Sequence, residues 1–292
     1  MTEDRATAKP KRKKWIILGI VGALLVGYGI LTAPGWMLLL SGDRVDIGDR
    51  RMFISCQGTG TPTVILEHGL GTSGTDWGLV QDAIASDTRV CFYSRAGMGF
   101  SDPTASQGLR TAQDAVDDLA SLLVAANVSP PYIMVGHSFG GFVVRMFADQ
   151  HPDGVEGMVL VDTSHEDQFR LFEERLSPET WAEVWQFFGT DNPERMDLPA
   201  SSAEMAAAGD LGDLPLVVIQ ADEQVTDAAA DGISQAVADE VDMVNNALAP
   251  VLQAELANLS TNSTLIFAEG SGHFVHVDRP EVVIEAIRSL LN

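Results

Sequence analysis

The chain has 292 residues, 46% hydrophobic and 20% charged, apolar enough for a sizeable core and too sparsely charged for a disordered chain. Its formal net charge is −23, and six of its 18 basic residues lie within residues 1–14, leaving 12 basic against 39 acidic groups in the rest. So acidic a body repels phosphate backbones, which argues against nucleic-acid binding, and two cysteines are too few for a disulfide scaffold or a CxxC zinc site.

The first element follows a basic cluster made of Arg5, Lys9, Lys11, Arg12, Lys13 and Lys14. Residues 15–40 carry no charged side chain, and Trp15–Ala33 is almost wholly apolar until Pro34-Gly35 interrupts it. At ~1.5 Å per residue this run covers about 28 Å, close to the hydrocarbon core of a bilayer. It reads as a single-pass transmembrane anchor, with residues 1–14 as a cytoplasmic tail and residues 41–292 outside the cytoplasm by the positive-inside rule. The competing reading is a cleaved signal peptide, but the run is longer than the usual apolar region and Thr32-Ala33-Pro34 is a poor cleavage site. Either reading exports the body.

From residue 44 onward, short apolar runs alternate with helical patterns. Strands are expected at 44–47, 52–57, 63–67, 90–93, 132–135, 158–161, 216–220 and 264–268, and helices at 76–85, 111–126, 139–150 and 280–291. Runs such as IMV, MVLV and LVVI suit strands covered on both faces. The alternation predicts an α/β fold with a mostly parallel sheet. Residues 163–214 break the rhythm with Phe169, Phe172, Trp181, Trp185 and Phe188, and read as a mainly helical cap over the site. The alternative is a second patch of ordinary core. Cys56 and Cys91 each fall in a strand, so a disulfide is open to them if those strands are neighbours; otherwise they are two small buried thiols.

Gly136-His137-Ser138-Phe139-Gly140 stands directly after a strand and before a helix, the context that gives G-x-S-x-G its meaning. Such a turn strains the serine backbone and exposes the hydroxyl. The helix behind it aims backbone N–H groups at developing negative charge. Glu67-His68-Gly69-Leu70-Gly71 reads as an HGxG loop, Tyr93–Ser101 as a YDRxGxGxS-like segment, and Gly270-Ser271-Gly272-His273 as a late histidine loop.

On these motifs, in this order, the chain from about residue 44 onward resembles the α/β-hydrolase superfamily, and within it bacterial esterase- and lipase-like serine hydrolases. The resemblance implies an eight-stranded, mostly parallel sheet flanked by helices. It implies Ser138 as nucleophile, His273 as general base, and backbone amides of Leu70 and Phe139 as the oxyanion hole. For the acid, relatives differ. One placement falls on Gln224, which cannot carry charge; another falls on Asp162, which is preferred, with Asp222, Glu223 and Asp227 as alternatives. A carboxylate at Asp162 that merely caps the next turn is the bland reading. The family's strand order sets the second and fourth strands side by side, which favours a Cys56–Cys91 disulfide. Ser94 departs from the family's usual Asp and bears on loop structure. His276 is read as a polar rim or helix-entry residue.

The activity expected is cleavage of a small-molecule ester with an apolar acyl group, needing no cofactor and no metal. Amidase, aminopeptidase, lactonase or carbon–carbon hydrolase chemistry on the same triad stays open, as does a binding module without turnover. Serine at the elbow speaks against dehalogenase and epoxide hydrolase chemistry, which use Asp there in this superfamily.

Overall fold

The computed structural model describes residues 42–291 apart from 106–107, 191, 224 and 226–232. The basic tail, the apolar run 15–40, Gln224 and Asp227 lie outside the described residues. Among those described, no helix is long and apolar enough to cross a membrane.

Strands β1 (Asp43–Asp46), β2 (Arg51–Gln57), β3 (Thr63–Glu67), β4 (Val90–Tyr93), β5 (Tyr132–His137), β6 (Val155–Val161), β7 (Leu216–Ala221) and β8 (Ser263–Ala268) form one sheet. Their order is β1-β2-β4-β3-β5-β6-β7-β8. Only the β1/β2 and β2/β4 pairings are antiparallel; the rest of the sheet is parallel. Every residue of β3, β4, β5 and β7 is buried, as strands sandwiched between helices require. β6 begins three residues before the expected Met158, because Glu156 and Gly157 interrupt its apolar run.

The helices around the sheet are α1 (Gly78–Ile84), α2 (Ala112–Ala125), α3 (Gly140–Gln150) and α9 (Pro280–Leu290), which the short α8 (Val275–Asp278) precedes. α2 starts at a capping box, with Thr111 and Asp114 exchanging side chain-to-backbone hydrogen bonds. It buries Val116, Leu119 and Leu122 against Phe142, Val143 and Met146 of α3 in the main core, where each such side chain contributes about 1.5–3 kcal/mol. Cys56 and Cys91 face each other across β2 and β4 with Cα atoms 4.1 Å apart and are joined in a disulfide. Closing a loop of that size stabilises by about 3–4 kcal/mol on the chain-entropy account.

Residues 163–214 hold α4 (Gln168–Arg175), α5 (Pro178–Trp185), a π-helical turn at Gln186–Thr190, and α6 (Leu198–Ala206). The two halves behave differently. Phe172, Leu176 and Val184 pack with Val244, Leu248 and Leu252 of α7 (Gln235–Ala257) in a small core of their own. Met196, Leu198 and Met205 join the main core instead. The first half is therefore a cap, and the second is ordinary body packing. The 23-residue α7, absent from the expected elements, is what the cap rests on.

Candidate active site

Ser138 sits between β5 and α3 at φ 52°, in the left-handed region that side chains other than glycine rarely occupy. Backbone contacts hold it there: its N–H donates to Val161 O (3.3 Å), and its own carbonyl accepts from Gly141 (3.0 Å) and Ser164 (3.1 Å). A Cβ on Gly136 would come within 2.8 Å of the Gly140 carbonyl, and one on Gly140 within 2.7 Å of the His68 carbonyl. Both glycines are thus steric requirements of the turn.

Asp162 follows β6 directly, also at positive φ (43°), and is 6% exposed. Its N–H donates to Ile219 O (2.7 Å) and its Oδ1 accepts from Ala221 N (3.1 Å), so β7 fixes the carboxylate. Oδ2 lies 2.7 Å from His273 Nδ1. A carboxylate only accepts, so Nδ1 carries the hydrogen, and Nε2 is the nitrogen left to exchange a proton. Asp222 does something else: its carboxylate accepts from the Gly270 amide (2.7 Å), while its own N–H and that of Glu223 donate to Ser271. These residues tether the histidine loop to β7.

His137 supports the same loop from below. Its Nε2 donates to the His273 carbonyl (2.9 Å), and burial among neighbouring histidines drives its pKa well below the ordinary value. His276 is a helix-entry residue, in the first turn of the short helix α8, and not a rim residue, being fully buried. It stacks on Trp77 (4.1 Å between ring centroids) and sets Nε2 3.5 Å from Asp76. Burial would raise the Asp76 pKa, but its contact with His276 outweighs that and lowers it.

The HGxG loop rests on buried charges. Arg95 is 1% exposed and hydrogen-bonds Glu67, His68 O (2.6 Å), Gly69 O (2.8 Å) and, through two nitrogens, Glu194 (2.7 and 2.6 Å). Glu194 also accepts from Gly71 N (2.7 Å). Burial raises Glu67 to about 7 despite Arg95, whereas in Glu194 the guanidinium overcomes burial and lowers the pKa. His68 accepts from Arg95 N at Nε2 and donates from Nδ1 to Gly69 O, a neutral tautomer consistent with a pKa lowered by burial to about 4. Ser94, the departure from the family pattern, is buried and donates to Ser73 O (2.5 Å). Glu194 escaped the sequence reading because its partner lies 99 residues away and no local motif marks it.

Ser138, Asp162 and His273 line one cavity of about 880 Å³. Gly69 and Leu70 form one wall, and Phe169, Phe172, Val184 and Phe188 of the cap form another. Val241, Asn245, Ala249 and Leu252 present one face of α7 to it. This brings all the expected site residues of the elbow, histidine and HGxG loops to one place, except that Phe139 is buried at the base of α3 beside it. Among the described residues, no cluster of three or more potential metal ligands occurs.

The sequence profile of the alpha/beta hydrolase fold family matches residues 62–253. An uncharacterized protein of Bacillus subtilis, YqjL, is 30% identical over 241 residues, covering 79% of this chain and 84% of that protein. Among solved structures, a thermophilic esterase from Thermogutta terrifontis superposes with a TM-score of 0.58 at 22% identity, over 83% of this chain and 93% of its own. An epoxide hydrolase mutant of Vigna radiata superposes with a TM-score of 0.62 at 15% identity, over 86% and 98%. Likeness to both shows the shared architecture and leaves the chemistry to the site.

Proposed function

Because the chain belongs to the α/β-hydrolase fold family and is an α/β-fold hydrolase, we propose that it is a membrane-anchored serine hydrolase that cleaves carboxylic esters through an acyl-enzyme on Ser138. The observation that carries the reading is the 2.7 Å His273–Asp162 pair sharing a cavity with a strained Ser138. In this scheme His273 Nε2 accepts the Ser138 proton as Oγ attacks the carbonyl carbon, and Asp162 stabilises the imidazolium. The amides of Leu70 and Phe139 receive the tetrahedral oxyanion. His273 then protonates the departing alcohol, and water repeats the sequence on the acyl-enzyme. Serine at the elbow supplies the hydroxyl this chemistry needs.

A cavity of about 880 Å³ lies within the range of small-molecule sites, roughly 300–1,000 Å³. Its phenylalanine and valine walls favour an ester with an apolar acyl group. Amides and lactones present the same carbonyl to the same groups. The uncharged run of residues 15–40 behind a basic cluster supports the anchor, with the body outside the cytoplasm.

One experiment tests both parts. Cells expressing the full chain are treated with a fluorophosphonate probe and fractionated. The label is expected in the membrane pellet, on Ser138, and absent from Ser138→Ala. Label in the soluble fraction would remove the anchor and leave the hydrolase. Folded protein that takes no label would leave a binding module on a hydrolase fold.

A further inference from the structure

The peptide joining Gly69 to Leu70 is trans, since the only cis bonds among the described residues precede Pro62 and Pro131. In a planar trans peptide the carbonyl and the N–H point in opposite directions. The Gly69 carbonyl therefore dictates where the Leu70 N–H goes. That carbonyl is crowded with donors: Arg95 Nη2 (2.8 Å), His68 Nδ1 (2.8 Å), Thr72 Oγ1 (3.2 Å) and Thr72 N (3.4 Å). Arg95 is buried behind the loop, while Gly69 and Leu70 line the cavity in front of it.

We propose that Arg95, braced by Glu194, is a positioning residue for the oxyanion hole: it holds the Gly69 carbonyl inward and so turns the Leu70 N–H toward Ser138. The inference rests on the reading of Ser138 as nucleophile. Glu194 grips both Arg95 nitrogens that face it and fixes the next peptide through Gly71 N, so the loop is held on either side of Leu70. A donor to the carbonyl also polarises the same peptide and strengthens its N–H as a donor. The role belongs to the fork and not to the charge alone, because an ammonium group cannot reach two carbonyls and a bidentate carboxylate together.

The test compares purified full-length protein with Arg95→Lys and Glu194→Gln, using 4-nitrophenyl butyrate and an alkyl boronic acid that forms a tetrahedral adduct. Arg95→Lys is expected to lower kcat about 100-fold, the scale of losing one oxyanion donor, and Glu194→Gln about tenfold. KM should stay within about threefold, and boronic acid affinity should fall in step with kcat/KM, since the interaction exists only in the transition state. In protein carrying 15N-leucine, the Leu70 amide signal should move on boronic acid binding in the wild type and move less in Glu194→Gln. This readout serves even if Arg95→Lys does not fold. Wild-type turnover in folded Arg95→Lys, or an unchanged boronic acid affinity and Leu70 response in Glu194→Gln, overturns the proposal. Failure of the underlying reading looks different: the wild type then neither hydrolyses the ester nor binds the boronic acid.

Discussion

Asp162 and Asp222 are both acids just past a strand end, yet their surroundings give them separate work. Asp162 is buried, with one oxygen on the Ala221 amide and the other on His273. Asp222 is exposed and accepts from Gly270. Asp162→Asn retains an acceptor for Ala221 but loses the charge that, in the proposed mechanism, orients and stabilises the imidazolium. Ester turnover should fall roughly 10³–10⁴-fold, as in comparable triads. Asp222→Asn still accepts from Gly270 and should stay within about threefold of wild type, so steady-state kinetics on the two variants decide the assignment. That Ser138, His273 and Asp162 meet at one cavity follows from local signals, since each adjoins a strand end or a glycine pattern. The helix-entry reading of His276 agrees with the structure, whereas its burial is invisible to local pattern because it depends on Trp77 and Asp76, roughly 200 residues earlier in the chain.

At the scale of elements, the cap and α7 form one unit through a carboxylate. Glu240 of α7 accepts from Ser177 N (2.6 Å), Ser177 Oγ (2.9 Å) and the Thr180 hydroxyl, at the N-terminus of α5. The Thr180 and Ser177 hydrogen bonds lower its pKa, and negative charge there suits the helix dipole. Glu240→Ala should free the start of α5 and with it Val184 in the cavity wall. KM for an octanoyl ester is expected to rise several-fold while kcat for an acetyl ester holds, measured with matched 4-nitrophenyl esters. The central strands β3 to β7 are legible because buried parallel strands leave continuous apolar runs, whereas β1 and β8 at the sheet edges are largely exposed. α7 was not, because Asn245, Asn246 and Pro250 break its helical pattern, and its apolar face is divided between the cap core and the cavity. Residues 163–214 read as one insertion in sequence, although their second half packs into the main core and their first half into a separate one.

Across the whole molecule, buried neutral histidines set the acid limit. Burial lowers His68 to about 4 in the fold against an ordinary 6.5, and burial likewise holds His137 well below its ordinary value. Between those values the unfolded chain binds more protons than the native one, so stability is present above pH 6.5 and is lost as pH falls toward 4. For His68 alone the shift corresponds to on the order of 3 kcal/mol. Glu67 works the other way: its raised pKa of about 7 favours the native state in acid. Two histidines oppose one glutamate, so the net slope follows the histidines. The melting temperature of wild-type protein should fall between pH 7 and 5 by calorimetry. A melting temperature that rises as pH falls would mean that these imidazoles are already charged in the native state and that Glu67 alone sets the slope.

The ion cluster of Glu67, Arg95 and Glu194 draws its members from three distant segments, one of them in the insertion between β6 and β7. Exchanging that insertion for one from another hydrolase would thus alter more than the shape of the chamber above Ser138. A graft lacking an acid at the place of Glu194 strands a guanidinium in the interior and slackens the turn beside Leu70. Chimeras built to change substrate preference in this chain must therefore transplant the carboxylate along with the lid.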